Sequence, residues 1–259
     1  MNVKTGLPQN YDNSYAAWLP SFEARYAVDP HWSVYGQVAR GALAPNENFF
    51  NHDNPNTVTL KPQTTWNYQI GTVYQTHRLS LSLDGYIIDF SNMINAISVG
   101  GQTEYNNLGG VTYRGVEAEG TVKLGSGFSL YGSGSINSAK DQTTHQWVPN
   151  APKATAAAGL IFDRNGYYAS LLGRWIGPRY GDVGQTQYLS PFATVDLSVG
   201  LDLGNLTPAL KGSKLKVNVN NLTNVTKIIN LAGYTVQNGT PLYWTQPGRS
   251  VFASVEVKF

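Results

Sequence analysis

Apolar and polar residues alternate one for one through most of the chain. At its end Val251, Ala253, Val255, Val257 and Phe259 alternate with Phe252, Ser254, Glu256 and Lys258. Leu79, Leu81 and Leu83 interleave with Ser80, Ser82 and Asp84, and Val116, Ala118, Val122 and Leu124 oppose Glu117, Glu119, Thr121 and Lys123. The same pattern sets Val195, Leu197, Val199 and Leu201 against Thr194, Asp196, Ser198 and Gly200, and Leu215, Val217 and Val219 against Lys216, Asn218 and Asn220. A period of two belongs to a β-strand, whose successive side chains point to opposite faces, so each segment has one apolar and one polar wall.

The pattern predicts eleven strands, over 15–28, 32–41, 64–76, 78–92, 105–124, 128–138, 153–163, 166–177, 192–203, 214–222 and 250–259. Their connections alternate in length. Asp29-Pro30-His31, Thr76-His77, Gly125-Ser126-Gly127 and Arg164-Asn165-Gly166 are tight turns built from turn-forming residues. Long Asn/Pro/Gly-rich loops run near 42–62, 139–152, 178–191 and 223–249, with a shorter one near 95–104. The connection 204–213 is longer than its side of the pattern should allow. Short turns at one end and long loops at the other are the mark of an outer-membrane barrel, apolar outside and polar within. A soluble sandwich has no reason to segregate them. The expected fold is therefore an all-β, transmembrane antiparallel meander barrel over 15–259, with 1–14 an extracellular loop remnant. Trp32, Trp66, Tyr74, Phe128, Phe162, Tyr167, Trp175 and Phe259 fall near strand ends, where aromatic girdles form.

Composition supports a wall between lipid and water. Only 13% of the 259 residues are charged and 12% are aromatic, Tyr (16) outnumbering Phe (9). A net charge of +2 without basic clusters gives no electrostatic footprint for nucleic acid. Cysteine is absent, which excludes disulfides, thiolate metal sites and a Cys nucleophile.

Strand number then bears on closure. A hairpin barrel has an even number of strands and both termini periplasmic. Eleven strands ending on the periplasmic side place 1–14 outside, and the first and last strands run the same way. These two would meet in parallel where antiparallel neighbours are required. The sheet is expected to be an open, curved half-barrel, or one forced shut with poor pairing, the carboxyl-terminal part of a larger barrel.

Three passages carry a resemblance. Leu60-Lys61-Pro62-Gln63-Thr64-Thr65-Trp66-Asn67-Tyr68-Gln69-Ile70-Gly71 opens a strand, with Gln69 where a Glu is usual. Tyr105-Asn106-Asn107-Leu108-Gly109-Gly110 leads to Arg114-Gly115-Val116-Glu117-Ala118-Glu119, and Val217-Asn218-Val219-Asn220-Asn221-Leu222-Thr223-Asn224 precedes the last loop. Their order and spacing resemble the C-terminal barrel of TonB-dependent outer-membrane receptors. Val251, Ala253, Val255, Val257 and Phe259 resemble the terminal signal read by the barrel assembly machinery. The resemblance implies a 22-stranded barrel in the outer membrane of a Gram-negative bacterium, surrounded by lipid and lipopolysaccharide. It implies an amino-terminal barrel half and a plug besides these residues, and contact with TonB only through that plug. The cargo implied is a scarce nutrient, first of all a ferric siderophore.

Candidate chemistry is sparse. His31 and His77 fall in turns, His52 and His145 in loops, and no pair has zinc-ligand spacing. Neither Gly125-Ser126-Gly127 nor Gly132-Ser133-Gly134 precedes a helix, and nothing orders Ser, His and Asp into a triad, so neither a cofactor nor an enzyme is expected. Arg and aromatic side chains at loop bases suit an anionic iron chelate through charge-assisted hydrogen bonds and stacking. The candidates are Arg179, Tyr180, Tyr188, Tyr234, Tyr243 and Trp244. The competing reading is that these rings only pack the loops or form the outer girdle. A stand-alone passive pore of ten to twelve strands and an outer-membrane barrel enzyme are the alternative functions.

Overall fold

The alternating segments pair as antiparallel strands in a computed structural model that describes residues 14–46, 60–99, 102–107, 109–235 and 239–258. In chain order the strands are β1 (Ser21–Ala27), β2 (Trp32–Leu43), β3 (Gln63–Gln75), β4 (Leu79–Ser91), β5 (Ile94–Val99) and β6 (Gln102–Asn107). Then come β7 (Gly110–Gly125), β8 (Phe128–Asp141), β9 (Ala154–Arg164), β10 (Tyr167–Ile176), β11 (Arg179–Tyr180) and β12 (Tyr188–Leu189). The last are β13 (Phe192–Asp202), β14 (Lys214–Asn220), β15 (Ile228–Tyr234), β16 (Pro241–Thr245) and β17 (Ser250–Glu256). No α-helix occurs among the described residues.

One eleven-stranded sheet runs β1-β2-β3-β4-β7-β8-β9-β10-β13-β14-β17, antiparallel throughout. It is open, with β1 and β17 as its edges. The other strands form three two-stranded hairpins, β5–β6, β11–β12 and β15–β16, inside long connections.

Directly paired residues share a face, so the ladder assigns each side chain a side. Leu83 pairs with Ala118, Ala118 with Gly134, Leu171 with Leu197, Val199 with Val217, and Leu215 with Val255. The apolar set therefore occupies one face from β1 to β17. Much of it is open to the surroundings: Ile70 is 71% exposed, Ile136 74% and Val251 63%. An exposed apolar face continuous across eleven strands is a lipid-facing band. Asp84 pairs with Glu117, Glu119 with Ser133, Arg174 with Thr194, Ser198 with Asn218, and Lys214 with Glu256 on the opposite, polar face. On the apolar face small residues form a strip: Ala118, Gly134 and Ala156 in one row, and Gly120, Gly132, Ala158 and Gly173 in the next.

The tight turns follow their residues. The Asp29 carboxylate accepts from the backbone N–H of His31 at 2.7 Å and of Trp32 at 2.9 Å. Asn165 and Gly166, at φ 54° and 79°, supply the two left-handed positions that a two-residue hairpin demands. The connection after β13 is longer because it carries two short 3-10 turns, Leu203–Asn205 and Pro208–Leu210. Trp32, Tyr74, Phe128, Phe162 and Tyr167 gather at the turn end, the rings of Phe128 and Phe162 4.8 Å apart. Trp66 and Trp175 lie toward the loop end.

Two expected strands need correction. The first begins at Ser21 rather than 15, because Pro20 has no N–H for the ladder and contributes only its carbonyl, which accepts from Arg40 at 2.9 Å. The segment expected at 105–124 is two strands. Asn107 ends β6 and Gly110 starts β7, separated by Gly109 at φ 52°. Of the residues expected to form an assembly signal, Val251, Ala253 and Val255 lie on the lipid face of β17, and Val257 lies past its end. Phe259, His52 and residues 1–13 of the expected extracellular remnant lie outside the described residues.

Candidate functional site

The long connections all leave one end of the sheet, and three of them meet there. The loop joining β8 to β9 donates from Asn150 N–H to the Tyr180 carbonyl at 2.7 Å and from Lys153 N–H to Pro178 at 3.2 Å. This seats it against the β11–β12 hairpin. In that hairpin Arg179 pairs with Leu189 and Tyr180 with Tyr188. The turn between is organised by Asp182, whose carboxylate accepts from the N–H of Gln187 at 2.7 Å and of Thr186 at 3.2 Å, and from the Thr186 hydroxyl at 2.9 Å. Burial works against the charge, but these donors outweigh it and hold the carboxyl below its usual range.

Around this hairpin lies a cluster of rings with a cation among them. Tyr180 and Tyr188 meet edge to face with centroids 6.1 Å apart. The exposed Lys153 ammonium lies 5.6 Å from the Tyr180 ring and 5.3 Å from that of Trp147. Trp147 is held by its indole N–H, which donates to the Ala151 carbonyl at 2.7 Å. Sequence reasoning did not select Lys153 or Trp147, whose partners are only apparent once the loops are folded together.

The six sequence candidates separate into groups. Tyr180 and Tyr188 (59% exposed) form the open part of the cluster. Arg179, 4% exposed, lies beneath it, donating to the Ile229 carbonyl with its guanidinium 5.6 Å from the Phe192 ring. Its other terminal nitrogen, Nη1, has no hydrogen-bond partner among the described residues. Tyr243 reaches across from β16 and donates its hydroxyl to the Gln187 side chain. Tyr234 and Trp244 are exposed on the β15–β16 hairpin and do not join the ring cluster among the described residues.

The last connection is anchored at its base. Asn221, 2% exposed and at φ 50°, donates its side-chain amide to the carbonyls of Val225 and Pro247, both at 2.8 Å, and accepts from Val225 N–H at 2.9 Å. One side chain thus ties both ends of the loop together. This gives a physical role to the Asn-Asn-Leu passage that sequence reading took only as a likeness.

No group of three or more His, Asp or Glu residues able to hold a metal ion occurs among the described residues. The site offers aromatic faces, hydroxyls and one accessible ammonium. It is equipped to bind an anionic, aromatic or oxygen-rich molecule.

Known proteins place this architecture. The ferrioxamine receptor of Yersinia enterocolitica is 25% identical over 221 residues, 82% of this chain and 29% of the receptor. The pesticin receptor of the same species is 24% identical over 195 residues, 70% of this chain and 28% of that protein. This chain therefore spans under a third of the relatives' length. The crystal structure of the ferric yersiniabactin uptake receptor from Yersinia pestis superposes with a TM-score of 0.73 at 22% identity, over 93% of this chain and 37% of that one. A variant of the ferric enterobactin receptor from Pseudomonas aeruginosa gives 0.77 at 20% identity, over 94% and 40%. These relatives are receptors, not enzymes. The TonB-dependent receptor-like β-barrel family matches residues 1–222, and with the lipid-facing wall and its segregated loops it settles the assignment: the chain belongs to that family and to the Gram-negative outer membrane.

Proposed function

We propose that this chain forms the carboxyl-terminal barrel wall and part of the mouth of a receptor for an anionic iron chelate of the ferric siderophore class. The observation that carries the reading is the Lys153 ammonium set against Trp147 and Tyr180, with Tyr188 open beside them, at the loop end of a lipid-facing wall. A ferric chelate with several negative charges gains from the ammonium, and its ligand rings gain from stacking. The names of the relatives, receptors of ferrioxamine and of other ferric chelates, support the same cargo class. Uptake would be driven by TonB through a plug seated against the polar face, whose mixed charges need partners or water.

The test is binding. In outer membranes carrying the protein, ferric catecholate and hydroxamate chelates are titrated against quenching of tryptophan fluorescence. Lys153→Gln and Tyr188→Ala should each weaken the preferred chelate about tenfold, consistent with about 1–2 kcal/mol for a desolvated cation or stacking contact. Binding unchanged in both variants, or a steady open-pore conductance insensitive to every chelate, would overturn the proposal.

A further inference from the structure

Charges on the lipid-facing wall are few and grouped. At paired positions of the described strands this face carries Arg40, Asp89, Arg114 and Lys140 toward the loop end and Arg164 at the turn end, every other residue on it being neutral. Arg40, Trp66, Asp89, Thr112 and Lys140 pair in succession across β2, β3, β4, β7 and β8, forming one lateral row. Arg114 stands one row nearer the turns, paired with Ile87 and Ser138. It is therefore the diagonal neighbour of Lys140 on one side, a separation of roughly 7–8 Å that two long side chains close onto a common anion, and of Asp89 on the other.

These cations are not equally committed. Arg40 lies over the Trp66 ring at 5.8 Å, and Asp89 accepts from the Thr112 hydroxyl at 2.8 Å. Arg114 and Lys140 are exposed, and among the described residues neither side chain has a hydrogen-bond or ion-pair partner. The group sets three cations against the single carboxylate of Asp89, and excess charge at a lipid boundary is costly, so a further anion should meet it.

Beside Arg114 the wall is grooved. Phe22, Val38, Tyr68, Ile70 and Ile87 flank a shallow apolar channel floored by Gly36 and Gly85. A Cβ at Gly36 or Gly85 would meet nothing closer than 3.7 Å, so packing within the protein does not require the channel. A cationic pair at the headgroup level beside a hydrocarbon channel matches one chemistry, an amphiphile with a phosphate and an acyl chain.

We infer that Arg114 and Lys140 bind a phosphate of an outer-leaflet lipid headgroup, with one of its acyl chains in the Gly36–Gly85 channel. The inference rests on the loop end lying in the outer leaflet, and is independent of the cargo proposed above.

Native mass spectrometry of the detergent-purified protein tests it, with a diphosphorylated acyl-disaccharide, its phosphate-free counterpart and inorganic phosphate as probes. The protein should retain the phosphorylated lipid, and Arg114→Gln with Lys140→Gln should weaken retention about tenfold, in keeping with basic side chains near an anionic surface. Arg114→Lys with Lys140→Arg should retain it, as should Arg164→Gln, and Gly85→Leu should weaken it by filling the channel. Full retention by the Gln pair, equal retention of the phosphate-free lipid, or displacement by millimolar inorganic phosphate would each overturn the inference.

Discussion

The backbone N–H of Asn221 donates to the carboxylate of Asp196 at 2.8 Å. Asp196 lies on the polar face of β13, where it also pairs with Arg174 of β10. The root of the last loop is thereby tied to the two preceding strands of the wall, as well as to itself through the Asn221 side chain.

Replacing Asn221 by Ala should free the loop while leaving the sheet intact. Three side-chain hydrogen bonds vanish at a site 2% exposed. Leaving buried partners unpaired costs about 2–3 kcal/mol. Hydrogen exchange should show lost protection in β15 and β16 and little change in β14 and β17. Equal protection in the variant would remove the anchoring role.

Acid should loosen the β11–β12 hairpin. The Asp182 carboxyl is held below its usual value in the folded chain, so its contribution is complete above the ordinary 3.8 and is lost as pH falls through the lowered value. Amide exchange at Thr186 and Gln187 should accelerate below that point. Asp182→Asn should exchange fast at neutral pH and show no further acid-dependent step.

Two glycines should respond oppositely to Ala. A Cβ at Gly110 would come within 2.4 Å of the Phe90 carbonyl oxygen, a backbone atom in the paired strand. Gly110→Ala should therefore destabilise by about 1–3 kcal/mol through overpacking. At Gly134 the nearest atom would be 3.6 Å away, so Gly134→Ala should be neutral or stabilising by up to about 1 kcal/mol. Urea unfolding midpoints in lipid vesicles would separate them.

Lysine scanning should report the two faces. Ala118→Lys, halfway along β7 on the lipid side, should cost about 2–4 kcal/mol, the penalty for a cation near the bilayer midplane. Glu119→Lys, its neighbour on the polar side, should cost less than half as much. Equal penalties in vesicle-folding titrations would mean that the faces are misassigned.

Much of the wall was legible because alternation is a strictly local signal. That Leu83 and Ala118 share one face, and Asp84 and Glu117 the other, follows from the alternation, while the register that pairs them comes from the ladder. The errors came where local pattern and ladder diverge. The apolar run from Tyr15 to Leu19 extends the first predicted strand, yet Pro20 removes a donor. Tyr105 continues the alternation of β7, yet pairs with Ala96. The β15–β16 hairpin carries a signal, Asn238-Gly239 between two short runs, within a stretch whose Asn, Pro and Gly content predicts a loop. The site was less legible, since Tyr180 and Tyr188 could be nominated by type alone. The Lys153–Trp147–Tyr180 grouping depends on backbone bonds between separate loops, which leave no trace in spacing.

The strip of Gly and Ala across β7 to β10 has a dielectric consequence. Hydrocarbon chains fill the space its absent side chains leave, and so lie closer to the backbone there than beside Ile70 or Leu160. On β7 the strip residue Ala118 stands between Glu117 and Glu119, which point to the other side. Little more than one layer of peptide separates oil from carboxylate at that point.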